Sequence, residues 1–344
     1  MSTLHTQSST TAPHGAFIRF LATMDRRWIF LAMMLAVGMP ILLKLRPPES
    51  PGPLSNATFA AIEHLPAGSR VLLSFDYDPA SEGELQPMAN AFVHHCASKG
   101  HKLAFMALWP LGAQKANETV DNVLKPFHPE YKLGVDYCML GYKAGNEGVI
   151  KVIVTDLLQQ YSTDASGTPL GEVPMLKGVS NIQAFDLILN VSAGYPGAKE
   201  WAQYATSAYP DAFSLLVGTT GVQSNQLYPY YPTQMKGMLV AIKGAAEYEV
   251  LVNAKYGNTP AIVAAQRMMS SREGERASEN PSENPSENPS ENPSGDTPES
   301  GVPAILQEGQ RRMGPQLIAH LLMVTLIVLG NVVYFATRSK GATR

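Results

Sequence analysis

Two long apolar runs near the ends of this 344-residue chain limit its possible folds more than any other feature. The first run is Trp28–Leu43, WIFLAMMLAVGMPILL, and the second is Met313–Ala336, MGPQLIAHLLMVTLIVLGNVVYFA. About 20 apolar residues in a helix cross the hydrocarbon core of a bilayer. The first run is slightly shorter, but Lys44 and Arg46 can extend it by reaching to the interface. We therefore predict transmembrane helices at 28–45 and 313–336.

The charges around these runs predict how the chain is oriented in a cell membrane. Basic residues precede the first run, as in a signal sequence, but no small-x-small cleavage site follows it, which indicates an uncleaved signal anchor. Two spans place both termini on the same side. Flanking Lys and Arg number six on the terminal sides (Arg19, Arg26, Arg27, Arg338, Lys340, Arg344) and four on the central side (Lys44, Arg46, Arg311, Arg312). This excess favours cytoplasmic termini and an extracytoplasmic central domain.

A low-complexity segment separates the central domain from the second span. Residues 278–293 are four consecutive copies of Ser-Glu-Asn-Pro, within a polar stretch covering 269–303. Acidic, proline-bearing sequence of this kind buries too little apolar area to offset the entropy of ordering. We predict a disordered linker at 269–303, in addition to an N-terminal tail at 1–27 and a C-terminal tail at 337–344.

The central domain, residues 55–268, alternates apolar strands with helical segments. The predicted strands are RVLLSFDY, KLAFMALW, VDYCMLGY, FDLILNVSA and FSLLVGTT. Continuous apolar strands separated by helices are typical of an open parallel sheet with helices on both faces. The predicted fold class is therefore α/β, flavodoxin-like or Rossmann-like, flanked by the two transmembrane helices.

The last segment of the domain, TQMKGMLVAIKGAAEYEVLV, is predicted to be one long helix. Gly237, Gly244, Ala245 and Ala246 would give it a smooth face, suited to close packing on the sheet or against a partner. Its charged residues are predicted to lie at the surface: Lys243, Glu247 and Glu249.

The composition argues against several classes of function. The net charge is −3 and no basic stripe is present, which argues against nucleic acid as a partner. The two cysteines, Cys96 and Cys138, form neither a disulfide framework nor a CxxC pair, and we expect buried free thiols. The histidines His94, His95 and His101 lack a metal-binding frame and are expected in the core or at the surface. Neither a phosphate-binding P-loop nor a dinucleotide fingerprint is present, so the sequence indicates no cofactor and no metal site.

Ligands of open α/β sheets bind beyond the carboxyl ends of the strands. The turns at these ends carry polar and aromatic side chains. Our candidate ligand-binding residues are Asp76, Asp78, Trp109, Tyr142, Lys143, Asn146, Ser192, Tyr195, Thr219 and Thr220.

The turn after the first strand, FDYDPA, resembles the opening motif of haloacid-dehalogenase-like phosphatases. That resemblance implies a nucleophilic Asp76, a general acid or base at Asp78, and nearby magnesium. However, Ala80 stands where the family has Thr or Val, and no later acidic pair at a strand end completes a magnesium site. Alternatively, Asp78 caps the following helix with Pro79 at its first position, and Ser81 and Glu84 form a capping box.

Four passages resemble a group of prokaryotic two-span membrane proteins with an extracytoplasmic α/β domain: SFDYDPASEGELQPMA, DYCMLGYKAG, KGAAEYE and AHLLMVTLIVLGN. The resemblance implies no known activity. The architecture is also similar to extracytoplasmic α/β domains attached to some ABC-type transport systems. We expect a membrane-anchored ligand-binding or scaffolding domain without catalytic residues, acting in a membrane complex or a homo-oligomer. The alternative is a metal-dependent hydrolase or phosphatase-like enzyme that uses Asp76 and Asp78.

Overall fold

The computed structural model describes residues 23–267 and 301–338. The chain divides into two compact units, Met1–Arg46 with Met313–Arg344, and Pro47–Arg312. The predicted tails and the predicted linker fall outside the described residues, except for positions 23–27, 301–303 and 337–338.

The second unit is built on a parallel sheet of six strands in the order β3-β2-β1-β4-β5-β6. The strands are β1 (Arg70–Asp76), β2 (Lys102–Ala107), β3 (Tyr137–Tyr142), β4 (Leu187–Ser192), β5 (Ser214–Thr219) and β6 (Gly237–Val240). All five pairings are parallel. The α/β prediction is therefore confirmed, and the strand order is the Rossmann-type order rather than the flavodoxin-type one.

Helices connect the strands and cover the sheet. They are α2 (Pro53–Glu63), α3 (Glu82–Ser98), α4 (Gly112–Thr119), α5 (Glu147–Thr155), α6 (Leu157–Gln160), α7 (Ala198–Glu200), α8 (Gly221–Leu227) and α9 (Ala241–Tyr256). Two π-helical turns, Val120–Leu124 and Trp201–Thr206, continue α4 and α7. Residues 260–267 are also helical.

The sixth strand corrects the prediction of one long helix after residue 233. Gly237–Val240 forms β6 and pairs with β5, and α9 begins only at Ala241, whose φ is 53°. Gly237 permits close contact between β6 and α2, because a Cβ there would lie 2.4 Å from the Thr58 hydroxyl oxygen. The four small residues of the predicted smooth face therefore belong to two elements, Gly237 to β6 and the other three to α9.

The core contains the two cysteines, as predicted, and also the three histidines that were expected either there or at the surface. Cys96 and Cys138 are free and fully buried, and burial raises the pKa of the Cys138 thiol to about 12. Such thiols stay protonated and unreactive at neutral pH. His94, His95 and His101 are also fully buried, so the core interpretation holds and the surface one does not.

The first unit contains the two apolar segments. Among the described residues, one helix is long and apolar enough to cross a membrane, Glu308–Phe335 within α10 (Glu308–Arg338). The first apolar run forms α1 (Arg26–Leu42), whose 17 residues are about 26 Å long at 1.5 Å per residue. α1 is therefore short for a span. Most of its large apolar side chains are exposed, including Trp28 and Phe30.

Candidate functional site

The carboxyl edge of the sheet holds the turns that the sequence selected. The strand order reverses between β1 and β4, whose last residues, Asp76 and Ser192, are paired in register. This is the position where ligands of Rossmann-type sheets bind. The candidate side chains come from the strand ends and turns of this edge.

Asp76 has no exposed surface and accepts hydrogen bonds from four donors. The Leu108 backbone N–H donates to Oδ1 at 2.7 Å, and Oδ2 accepts from the Ser74 hydroxyl at 2.7 Å and the Asn190 amide at 2.6 Å. The Trp201 indole N–H lies 3.4 Å from the same oxygen. Asp76 thus links strands β1 and β4 to the turn after β2 and to the π-helical turn after α7.

The pKa of Asp76 is raised to about 7 from its ordinary value of 3.8. Complete burial is the dominant cause, because it penalises the charged carboxylate. The hydrogen bonds from Leu108, Ser74, Trp201 and Asn190 oppose this effect without cancelling it. A raised pKa is common at active sites, but it also arises in buried structural networks such as this one.

The turn after β1 differs from both predictions about its cap. Asp78 accepts from the Ala80 backbone N–H at 3.1 Å, which makes a local turn and not a helix cap. Helix α3 begins at Glu82, with Ser81 at the N-cap position, but the Ser81 side chain makes no capping hydrogen bond. The expected capping box is absent because the Glu84 carboxylate accepts instead from the Gly221 backbone N–H, at 2.9 Å. Glu84 therefore joins the start of α3 to the start of α8.

Trp109 links the turns after β2 and β4. Its indole N–H donates to the Pro196 carbonyl at 2.8 Å. A Cβ at Gly194 would lie 3.6 Å from the Trp109 ring, so the ring packs directly on this glycine. Since β1 lies between β2 and β4, the tryptophan bridges the two sides of the reversal point.

Three hydroxyl candidates are buried and bonded within the protein. The Ser192 hydroxyl accepts from the Ala198 backbone N–H at 3.0 Å. The Thr219 hydroxyl lies 3.2 Å from the Gln223 side-chain oxygen, and Thr220 is the N-cap of α8. Each hydroxyl therefore has a role in fixing the backbone of this edge.

Four candidates lie at the accessible part of the edge. Tyr142 and Asn146 are exposed, and Lys143 is partly buried with its ammonium 5.3 Å from the centre of the Tyr161 ring. Tyr195 is 58% exposed and its hydroxyl donates to the Glu147 carboxylate. These four side chains reach solvent at this edge.

The phosphatase alternative requires side chains that could bind a metal ion near Asp76 and Asp78. Within residues 23–267 and 301–338, no group of three or more His, Cys, Asp or Glu side chains is placed to hold a metal ion. His94 and His95 point in different directions: His94 Nδ1 lies 3.0 Å from His128 Nε2, whereas His95 contacts Tyr248 and Glu63. Burial is the main cause that lowers the pKa of His94 to about 3 and of His95 to about 4.

A shallow depression of about 290 Å³ lies at the opposite, amino edge of the sheet, next to Asp186, Ser214 and Lys236. It is wide open to solvent and is not adjacent to any candidate residue.

Sequence reasoning missed two buried carboxylates on α9. Glu247 accepts from the Gly52 backbone N–H at 2.9 Å and from the Ser55 hydroxyl at 2.7 Å, at the start of α2. Glu249 accepts from the backbone N–H groups of Gly309 at 2.9 Å and Gln310 at 3.0 Å, in the first turn of α10. The expectation that both glutamates are surface charges is therefore wrong. Lys243 is exposed as expected, and it pairs with Glu49 and Glu247.

Helix N-termini explain why these carboxylates are buried. The first N–H groups of a helix have no partner within it and carry a partial positive charge, so an acceptor there is favourable. Gly309 permits the contact, since a Cβ at this position would lie 2.9 Å from the Ala246 backbone nitrogen. The signal was present in GAAEYE, where acidic residues two apart follow small residues that allow a second helix to approach.

Comparison of the chain with protein-family models, with curated proteins and with solved structures finds no match to any of them.

Proposed function

We propose that this protein is a two-pass membrane protein whose α/β domain acts as a scaffolding subunit of a membrane complex. The proposal rests mainly on one observation. At the reversal point of the sheet, where a Rossmann-type ligand would bind, Asp76 is fully buried and bonded within the protein, and Trp109 joins the turns after β2 and β4.

The contacts of Asp76 and Trp109 favour a structural role over catalysis. Asp76 is bonded to four donors and has no exposed surface, and Trp109 joins the turns on either side of it. A nucleophile or general acid has to reach its substrate within hydrogen-bond distance. Asp76 would need its network to open before it could do so. The hydrolase alternative would regain support if magnesium raised the thermal midpoint of the protein and Asp76→Asn abolished that shift.

The hydrogen bonds from α9 to the first and last segments of the α/β domain support a domain that is held at a membrane. Glu247 binds the start of α2, which follows the first apolar run, and Glu249 binds the start of α10, which contains the second. One helix of the domain thus fixes the segments leading to both runs. In this proposal α1 is the first span and α10 the second, the termini are cytoplasmic, and the α/β domain is extracytoplasmic.

The experiment is purification of the tagged full chain from its native membranes in a mild detergent. We expect other membrane subunits, or further copies of the chain, to co-purify in a complex larger than the 37.2 kDa monomer. Chemical crosslinking before solubilisation guards against dissociation. A monomer under both conditions would refute the scaffolding role.

A further inference from the structure

Both ends of the α/β domain leave it at the carboxyl edge of the sheet. At one end, Glu49 bonds to Lys243 in the first turn of α9, immediately after β6. At the other end, the Arg312 guanidinium donates to the Gly83 carbonyl at 3.0 Å, in the first turn of α3, which follows β1. Helices that follow strands of a parallel sheet begin at its carboxyl edge, so both attachment points lie there.

The attachments leave little chain between the domain and the apolar runs. Arg312 directly precedes Met313, where the second run begins, and only five residues separate Leu43 from Glu49. Five residues reach at most about 20 Å when fully extended. If the runs cross a bilayer, as proposed above, the carboxyl edge cannot lie far from the lipid surface.

The same edge presents exposed apolar and aromatic side chains. Leu111 and Tyr195 lie in the turns after β2 and β4, Tyr142 is the last residue of β3, and Val222 is in the first turn of α8, after β5. Their exposures are 45%, 58%, 38% and 89%. Val222 is almost fully exposed to solvent although its side chain is aliphatic. Four strands thus each bring an exposed apolar or aromatic side chain to one edge of the sheet, and exposed apolar groups that gather on one side commonly mark membrane or protein contacts.

Four carboxylates near this edge have partners within the domain. Glu82 and Glu118 both bind the Lys115 ammonium, at 2.8 Å and 2.7 Å. Glu84 accepts from Gly221, and Glu147 accepts from Tyr195 and pairs with Lys151. These four acidic side chains therefore each have a partner within the domain.

We propose that the carboxyl edge of the sheet is a lipid-facing surface, and that Leu111, Tyr142, Tyr195 and Val222 contact the interfacial region of the bilayer. Tyrosine suits this region because its ring is apolar and its hydroxyl is polar. The inference rests on the proposed membrane anchoring and extends it. It also gives the four side chains a role that requires no small-molecule ligand.

The test uses the full chain in phosphatidylcholine nanodiscs, with a fluorescent label on a single introduced cysteine. Val222→Cys and Leu111→Cys report on the edge. Leu133→Cys is the matched control, because Leu133 is 52% exposed and lies just before β3, at the amino edge. The native Cys96 and Cys138 are buried, and the unsubstituted protein measures any labelling of them.

We expect nitroxide-labelled lipid headgroups to quench the Val222→Cys and Leu111→Cys labels several-fold more strongly than the Leu133→Cys label. Equal, weak quenching at all three positions in a protein that enters the discs would overturn the lipid-facing surface but leave the anchoring intact. Failure of the protein to enter the discs would overturn both. Protection of Val222→Cys in native membranes but not in lipid-only discs would overturn the lipid assignment in favour of a protein partner.

Discussion

The Glu249 carboxylate accepts the backbone N–H of Gly309 at 2.9 Å, which ties the middle of α9 to the first turn of α10. Both residues are needed for this contact. Glu249 supplies the acceptor for a helix N-terminus, and Gly309 supplies the space in which the two helices approach. The contact also joins a helix of the α/β domain to a helix that is long enough to cross a membrane.

The pH dependence of stability should distinguish Glu249 from Glu247. Burial raises the pKa of Glu249 to about 8 from 4.5, so the folded state holds a proton that the unfolded state releases above pH 4.5. Its contribution is complete below pH 4.5 and is lost as pH rises towards 8. We expect the thermal midpoint of Glu249→Gln, relative to the unsubstituted protein, to rise between pH 5 and pH 8.

Glu247→Gln is the matched control for that measurement. Burial alone would raise the pKa of Glu247, but hydrogen bonds from Lys243, Gly52 and Ser55 outweigh it and the pKa is lowered. Its contribution is therefore present above pH 4.5 and is lost only in acid. We expect Glu247→Gln to lower the thermal midpoint by the same amount at pH 6 and pH 8. A parallel pH slope in both variants would contradict the assigned environments.

The close packing at Gly309 predicts a steric effect. Gly309→Ala places a Cβ 2.9 Å from the Ala246 backbone nitrogen in α9. A backbone atom within a helix cannot move aside as the end of a flexible side chain can, so the two helices would have to separate. Overpacking of this kind costs about 1–3 kcal/mol. Gly148→Ala is the control, since its Cβ would meet nothing within 4 Å in the first turn of α5. Denaturant unfolding in a defined detergent should show a loss for the first variant and a change within about 0.5 kcal/mol for the second. Equal stabilities would contradict the packing.

The Asp76 network predicts a large difference between the two aspartates of FDYDPA. Asp76→Asn replaces an acceptor by an amide that can satisfy only part of the four donors, and a buried unsatisfied group costs about 1–3 kcal/mol. Asp78→Asn keeps a carbonyl for the Ala80 N–H in a half-buried turn, so its effect should stay within about 0.5 kcal/mol. The measurement is equilibrium unfolding of both variants. A larger loss of unfolding free energy for Asp78→Asn than for Asp76→Asn would contradict the stabilising role of the Asp76 network.

Apolar patterning was sufficient to predict five of the six strands of the sheet. Buried parallel strands such as β1 and β4 are continuous apolar runs, and they were recognised as such. The short β6 was missed because GMLV lies among helix-forming residues, and only its pairing with β5 makes it a strand.

The sequence was sufficient to predict which edge of the sheet carries the candidate residues, but not which side chains they contact. The rule for parallel sheets brought Asp76 and Ser192 to one edge, where they are paired. Sequence could not show that Asn190 and Trp201 would turn towards Asp76, because these contacts join residues more than 100 positions apart. The polar Asn190 within the apolar run LILNVS was the available hint.

The most direct test of the two-pass account is the side of the membrane on which each segment lies. Thr11→Cys, Leu133→Cys and Thr343→Cys place single reactive thiols before α1, in the α/β domain and after α10. An impermeant maleimide applied to right-side-out vesicles should label Leu133→Cys at once, and the two terminal positions only after the vesicles are opened. Labelling of Thr11→Cys and Leu133→Cys from the same side would show that α1 does not cross the membrane, and would contradict the account.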